Sequence, residues 1–260
     1  MPAVALTIAG SDPSGGAGLQ ADLKTFHRFG VYGEAVVTLV TVQNTVRVSR
    51  VEVLSPELVL EQLNAVLEDI PPGAAKTGAL GSAEMVEAIA RAAAGFAFPL
   101  VVDPVMISKH GLPLLSEDAA RAIRVELLPR AVLVTPNVPE AEALAGIPVR
   151  TPAGMRRAAR AIADMGARAV LIKGGHMEGD ALDILWDGME WREFAAPRIE
   201  TRHTHGTGCT YSAAITAGLA CGLELGEAVA RAKRFIQEAI RTNPGLGKGS
   251  GPVNHHAEVR

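Results

Sequence analysis

Glycines and hydrogen-bond donors crowd into Thr204-His205-Gly206-Thr207-Gly208-Cys209-Thr210, just ahead of an apolar run, Tyr211 to Gly222, that reads as a helix. Glycines let a ligand approach the backbone closely. The first N–H groups of a helix have no internal acceptor, so they point outward with the positive end of the dipole behind them. Such a turn holds an anion, and it would stabilise negative charge on a transferring phosphoryl group. Taken alone, a Gly-x-Gly of this kind is more often an ordinary helix start, here with Thr207 as the N-cap residue. The rest of the chain decides between the two.

An anion site needs a scaffold, and short β-branched runs alternating with longer amphipathic segments predict a mostly parallel sheet between helices. Strands are expected at Val4 to Ala9, Ala35 to Val42, Val48 to Leu54, Ala74 to Thr77, Pro99 to Asp103, Ala131 to Thr135 and Ala169 to Lys173. Ser55-Pro56-Glu57 and Ser82 with Glu84 behind it read as helix starts, and Gly30 and Gly95 as helix stops. Asp183 to Trp191 reads as a β-hairpin turning at Asp187-Gly188. Six polar clusters then fall at carboxyl ends of predicted parallel strands: Gly10-Ser11-Asp12, Gln43-Asn44, Lys76-Thr77-Gly78, Asp103, Pro136-Asn137 and Lys173-Gly174-Gly175-His176. Open α/β sheets bind ligands outside those ends, so the clusters predict one shared site.

Asp22 adds a sharper signal. Leu19, Asp22, Leu23 and Phe26 share one helical face, so a carboxylate sits in an otherwise apolar inward stripe. Burial of an unpaired charge is costly, and Asp22 therefore needs a hydrogen-bonding partner, from the protein or from a ligand. Gly15-Gly16-Ala17-Gly18 ahead of it suits close approach. Gly16 to Ala21 formally satisfies the dinucleotide pattern Gly-x-Gly-x-x-Ala, but Gln43-Asn44 stands where the ribose-binding acidic residue belongs. No Gly-x-x-x-x-Gly-Lys-Ser/Thr occurs. Phosphate binding therefore falls to the helix entered at Gly206.

A chain of 260 residues, 48% hydrophobic and 20% charged, is expected to form one domain over residues 1–260. A net charge of -3 with scattered Lys and Arg gives no footprint for nucleic acid. Neither a charged leader nor a run of about 18 apolar residues is present, so a soluble cytoplasmic protein without a membrane partner is expected. Cys209 and Cys221 lack metal-ligand spacing and read as free thiols, Cys221 as a small core residue. The Gly-rich segment after Pro244 is expected to be partly mobile, with His255-His256 solvent-exposed.

The stretch Ala9 to Thr25, then Val42-Gln43-Asn44-Thr45, Lys173-Gly174-Gly175-His176 and Thr204 to Thr210, resembles the hydroxymethylpyrimidine/phosphomethylpyrimidine kinases of thiamine biosynthesis. The resemblance runs through nearly the whole chain. It implies a three-layer ribokinase-like α/β fold, ATP with Mg²⁺, a homodimer, and two successive phosphorylations of the thiamine pyrimidine. By the same resemblance, Gly10, Asp22 and Gln43 hold the pyrimidine, with Ala79, Val105 and Met106 at the pocket wall. Gly206, Thr207, Gly208 and Cys209 form the anion hole, Cys209 and Lys173 are catalytic, Asn137 and Lys173 meet the ATP phosphates, and Asp103 and Glu140 lie toward the metal.

Ala79 departs from the methionine common in the family and leaves a roomier pocket. Relatives of this architecture phosphorylate pyridoxal or pyridoxine, so a vitamin B6 kinase or dual enzyme is the alternative. A non-catalytic pyrimidine-binding sensor would be expected to lose the Gly-Thr-Gly-Cys turn or Lys173, and both are intact. A cysteine at position 209 suits a two-step kinase: a fixed carboxylate would repel the phosphomonoester dianion, whereas a thiol stays neutral or ionises as the helix N-terminus lowers its pKa. Cys209 is thus expected to act as base for the alcohol and to tolerate the monophosphate. His176, His203 and His205 show no ligand spacing and read as satisfied loop histidines. Ser108-Lys109-His110-Gly111 is a loop that could close over substrate.

Overall fold

The computed structural model describes residues 2–106, 116–175, 177 and 179–259. His176 and the loop from Ser108 to Gly111 lie outside the described residues.

The strands are β1 (Val4–Ser11), β2 (Tyr32–Gln43), β3 (Val48–Val53), β4 (Ala74–Thr77), β5 (Leu100–Val102), β6 (Leu133–Val134), β7 (Val170–Ile172), β8 (Asp183–Trp186) and β9 (Trp191–Phe194). They form one sheet in the order β3-β2-β1-β4-β5-β6-β7-β8-β9. The six from β2 to β7 run parallel, and β3, β8 and β9 complete the edges through antiparallel pairs. The central strands are buried on both faces, which is why β1 and β5 read as nearly continuous apolar runs rather than as alternating patterns. The β8–β9 hairpin turns at Asp187, whose carboxylate accepts from the N–H groups of Met189 and Glu190.

The helices are α1 (Gly18–Arg28), α2 (Pro56–Asp69), α3 (Ala83–Ala93), α4 (Glu117–Ala122), α5 (Val138–Ala145), α6 (Pro152–Ala163), α7 (Thr207–Ala220) and α8 (Leu225–Arg241). Ser55 and Ser82 cap α2 and α3 as their positions predict, accepting from Leu58 N and Met85 N. Two apolar clusters lie on opposite faces of the sheet. One joins Leu6, Ile8 and Val102 to α2, α3, α5 and α6. The other joins Ala5, Val101 and Leu171 to α1, α7 and α8. The result is the expected three-layer α/β architecture.

Two expectations fail in this scaffold. Cys221 is exposed, because α7 ends at Ala220 and the cysteine sits in its C-cap, past the packed stretch. His255 is buried, with Nε2 3.1 Å from Thr210 Oγ1, because the segment around Gly251 to Ala257 folds back onto the anion turn. His205 N donates to Gly251 O, Val253 N donates to His205 O, and Val253 and Ala257 enter the core. His256 is exposed, as expected. No helix among the described residues is long and apolar enough to cross a membrane.

Candidate active site

After β1 the chain moves outward to β2 and β3, then returns to the other side of β1 as β4. That reversal opens a crevice at the carboxyl ends of β1 and β4. A cavity of about 510 Å³ occupies it and continues along the ends of β5, β6 and β7 to α8. Its size is that of a small-molecule site. Gly10, Gln43, Ala79, Val105 and Met106 line one end. Asp103, Lys173 and the turn from Gly206 to Cys209 line the middle, and Asn137 and Glu140 lie beyond them.

Glycine makes the close approaches possible. Gly206 is the N-cap of α7 with φ of 79°, and a Cβ there would come within 1.7 Å of Gly16 O. Only glycine fits both the left-handed backbone and the contact. Thr207 is therefore the first residue of α7 rather than its cap, and its hydroxyl turns back to Thr204 O at 2.7 Å. The first i→i−4 bond of the helix runs from Thr210 N to Gly206 O, so the N–H groups of Gly208 and Cys209 have no acceptor within the helix. The glycines at 16 and 18 serve packing, not a dinucleotide. A Cβ on Gly16 would strike the His205 ring at 2.6 Å, and one on Gly18 would strike Gly10 O at 2.3 Å.

Lys173 stands at the mouth of this turn. Its Nζ lies 2.8 Å from Asp103 Oδ1 and 3.3 Å from where a Cβ on Gly208 would sit. Asp103 also accepts from Thr135 and Ser212. Burial opposes charge on both members of the pair, but their mutual attraction prevails, holding Asp103 below the usual carboxylate range and Lys173 above its own. The cavity therefore carries a permanent cation beside the open helix N-terminus.

Asn137 and Glu140 form the capping box of α5: Asn137 Oδ1 accepts from Glu140 N at 2.9 Å and Glu140 Oε2 from Asn137 N at 2.8 Å. Burial pushes the Glu140 carboxyl up to about 7, Lys173 acts against it, and Asp103 adds to it. Asp103 and Glu140 are thus close enough to feel each other's charge.

The structure does not bring Asp22 to the cavity wall. Asp22 is fully buried, its Oδ2 accepting from Thr7 Oγ1 at 2.6 Å and from Lys76 Nζ at 2.8 Å. The partner its position required is supplied by the protein. Burial opposes charge on Lys76, but the neighbouring Asp22 carboxylate, with Asp103 adding to it, holds the ammonium above its ordinary value. The pair forms the floor beneath the anion turn.

Cys209 lines the cavity and is half-buried, but its thiol behaves opposite to what a helix N-terminus alone would give. Burial pushes it up to about 12, Lys76 pulls the other way, and Asp22 and Asp103 reinforce burial. At neutral pH the group is a thiol.

Asp12, one of the polar residues expected at the shared site, and His205, read as a satisfied loop histidine, pair at 2.8 Å in the cavity wall, while Asp183 and Lys233, to which the sequence reading gave no role in the site, pair at 2.7 Å at its far end. Lys233 had a readable signal, since it shares the inward face of α8 with Val229, Ala232 and Ile236, the same kind of intrusion that singled out Asp22. His205 had none beyond its place next to Gly206.

The phosphomethylpyrimidine kinase family model matches residues 12–254. The thiamine biosynthesis bifunctional protein ThiED of Geobacter sulfurreducens is 50% identical over 252 residues, 96% of this chain; the chain spans 51% of that longer protein. The hydroxymethylpyrimidine/phosphomethylpyrimidine kinase of Bacillus subtilis is 45% identical over 98% of this chain and 96% of its own length. Among solved structures, the Staphylococcus aureus pyridoxal kinase in complex with AMP-PCP and pyridoxal superposes with a TM-score of 0.90 at 36% identity, covering 99% of this chain and 95% of that one. The phosphomethylpyrimidine kinase of Clostridium difficile 630 gives 0.82 at 44% identity, covering 92% of this chain and 99% of that one.

Proposed function

Because the chain belongs to the phosphomethylpyrimidine kinase family, we propose that it transfers a phosphoryl group from ATP to 4-amino-5-hydroxymethyl-2-methylpyrimidine, and then a second to the resulting monophosphate. One observation carries this reading. A single cavity joins a ring-sized end at Gln43, Ala79, Val105 and Met106 to a helix N-terminus with a permanent cation beside it.

The chemistry follows from the groups on its walls. Gln43 and the backbone around Gly10 hold the flat heterocycle, while Asp22, paired with Lys76, supports the anion turn from beneath. The N–H groups of Gly208 and Cys209 and the ammonium of Lys173 meet negative charge on the transferring group, where preorganised donors act most strongly. Asn137 and Lys173 face the donor phosphates. Asp103 and Glu140 fit the magnesium ion that accompanies ATP: two neighbouring carboxyl groups are the usual protein share of such a site, and a divalent cation beside Glu140 would displace the proton that burial lets it keep near neutral pH. When bound, that ion neutralises charge on the phosphates. Residues 1–260 act as one catalytic domain, in the cytoplasm.

A homodimer belongs to the same reading. Val40 and Val42, which share the face of β2 turned away from the cavity, and Val46 in the turn after it, are exposed and apolar, a surface that a second copy would cover. Light scattering of the wild type beside Val42→Asp tests it, and a monomeric wild type overturns it.

The second reading, pyridoxal phosphorylation, is favoured by the pyridoxal complex of the Staphylococcus aureus relative and by the small side chain of Ala79. An ATP-coupled assay on the pyrimidine alcohol, its monophosphate and pyridoxal separates the two. Faster turnover of pyridoxal than of either pyrimidine would sink the first reading. Gln43→Ala should weaken pyrimidine binding by about 1–3 kcal/mol, because ring edges are left without partners.

A further inference from the structure

The His205 imidazole meets two side chains through one nitrogen. Its Nε2 lies 2.8 Å from Asp12 Oδ2 and 3.2 Å from Gln43 Nε2. Asp12 is ionised at neutral pH: burial raises its pKa, but hydrogen bonds from His205 and Ser14 outweigh it. The same carboxylate accepts from Ser14 N and Ala17 N, so all of its neighbours are donors. A carboxylate only accepts, and the hydrogen between Asp12 and His205 must therefore sit on Nε2. An N–H directed at Asp12 cannot accept a bond from an amide NH₂. The one N–H is then shared, its main bond to Asp12 and a longer branch to Gln43, whose carbonyl oxygen faces it after a half-turn of the amide, since the two ends of an amide are told apart only by their partners.

The imidazole itself has no freedom to adjust. His205 is buried, its backbone is bonded on both sides to the segment at Gly251 and Val253, and its ring rests on Gly16, where a Cβ would intrude to 2.6 Å. Gln43, half-buried at the end of β2, is the member that can turn.

We propose that the Asp12–His205 pair is a positioning device for Gln43, holding Oε1 toward the imidazole and Nε2–H₂ toward the ring end of the cavity. The site is thereby set to read a hydrogen-bond acceptor on its heterocycle, such as an unprotonated ring nitrogen, in place of a donor. The inference rests on reading that end of the cavity as the place of the substrate ring.

Two measurements test it. Long-range proton–nitrogen NMR of the histidine rings in ligand-free protein should show His205 with its hydrogen on Nε2. A ring carrying hydrogen on Nδ1 only, with Nε2 bare, overturns the proposal whatever the substrate proves to be. In kinetics, His205→Asn removes the Nε2 donor and should raise the pyrimidine KM about tenfold, the worth of one hydrogen bond, with a smaller change in the KM for ATP. His205→Gln restores an N–H near the same place and should recover most of the loss. In a Gln43→Ala background, His205→Asn should add nothing further. An undiminished tenfold effect in that background, or an equal rise in the KM for ATP, refutes positioning through Gln43. If the variants fail to fold, the NMR result on the wild type decides. A wild type that turns over no pyrimidine refutes the functional reading and leaves the ring measurement standing.

Discussion

Replacing Cys209 by serine separates two roles for the thiol. A group titrating near 12 is ionised in roughly one molecule in 30,000 at pH 7.5, so forming the thiolate costs about 6 kcal/mol before any chemistry begins. General-base catalysis returns about 10²–10⁴ in rate, or roughly 3–5.5 kcal/mol. The cost exceeds the gain, and a thiolate base is a net loss for phosphorylation of the alcohol. Cys209→Ser should therefore slow the alcohol and the monophosphate by the same factor, to within about threefold, by altering the packing of the anion turn. The assay is separate initial rates on each substrate between pH 7 and 9. For the alcohol the wild-type rate should stay nearly level, whereas a thiolate base would make it climb about tenfold per pH unit across that range. A loss of more than about tenfold confined to the alcohol, or a climb with pH that vanishes in the serine variant, refutes this reasoning. Cys209→Asp extends the test, because a fixed carboxylate should depress the monophosphate rate selectively through repulsion of its dianion.

Lys173→Ala should cut turnover far more than pyrimidine affinity, since the ammonium acts on transferring phosphate. Calorimetry beside steady-state rates checks this, and melting should also drop because Asp103 is left buried and unpaired, a loss of about 3–5 kcal/mol. Gly208→Val should damage both phosphorylations together by placing a side chain 3.3 Å or less from Lys173 Nζ, which rates on the two substrates report. Glu140 makes stability depend on pH. Its folded pKa lies near 7 against an ordinary 4.5, so the native state holds the proton more tightly, and its contribution, full below pH 4.5, is lost as pH rises to 7. Glu140→Gln keeps the α5 capping box but cannot titrate; denaturant unfolding at pH 4.5 and 7 should show the wild type losing about 3 kcal/mol relative to this variant across the window.

The sheet was legible because its central strands are sandwiched between helices. Runs such as Val4 to Ala9 and Leu100 to Val102 are almost wholly apolar, and the polar residues at their carboxyl ends marked the crevice in advance. Boundaries were less readable: β2 begins at Tyr32 and β6 shrinks to Leu133–Val134, because strand ends are set by neighbours and not by propensity. The anion turn was visible from glycine spacing. Asp22 was correctly read as needing a partner, but no local pattern says that the partner is Lys76, 54 positions away. For the same reason, the ring of His205 and the burial of His255 could not be seen: both depend on a segment distant in sequence folding back onto the turn. The direction of the Cys209 shift was hidden too, since it reflects first the burial of the thiol in the folded chain and then the carboxylates of Asp22, on α1, and Asp103, just after β5.

The bond between Asp12 and His205 spans 193 positions, and the 251–253 segment completes the same corner. Closing a loop of that length costs about 4–5 kcal/mol of chain entropy, which local helices and hairpins do nothing to repay. The pocket therefore belongs to the global folding unit, whereas α2 with β2 and β3 can form from contacts near in sequence. A partly folded chain can own most of its sheet and every side chain named here, yet present no anion turn. Catalytic competence is thus an all-or-none property of the finished molecule, and a destabilising change anywhere in the core lowers the fraction of active enzyme before it alters the enzyme that remains.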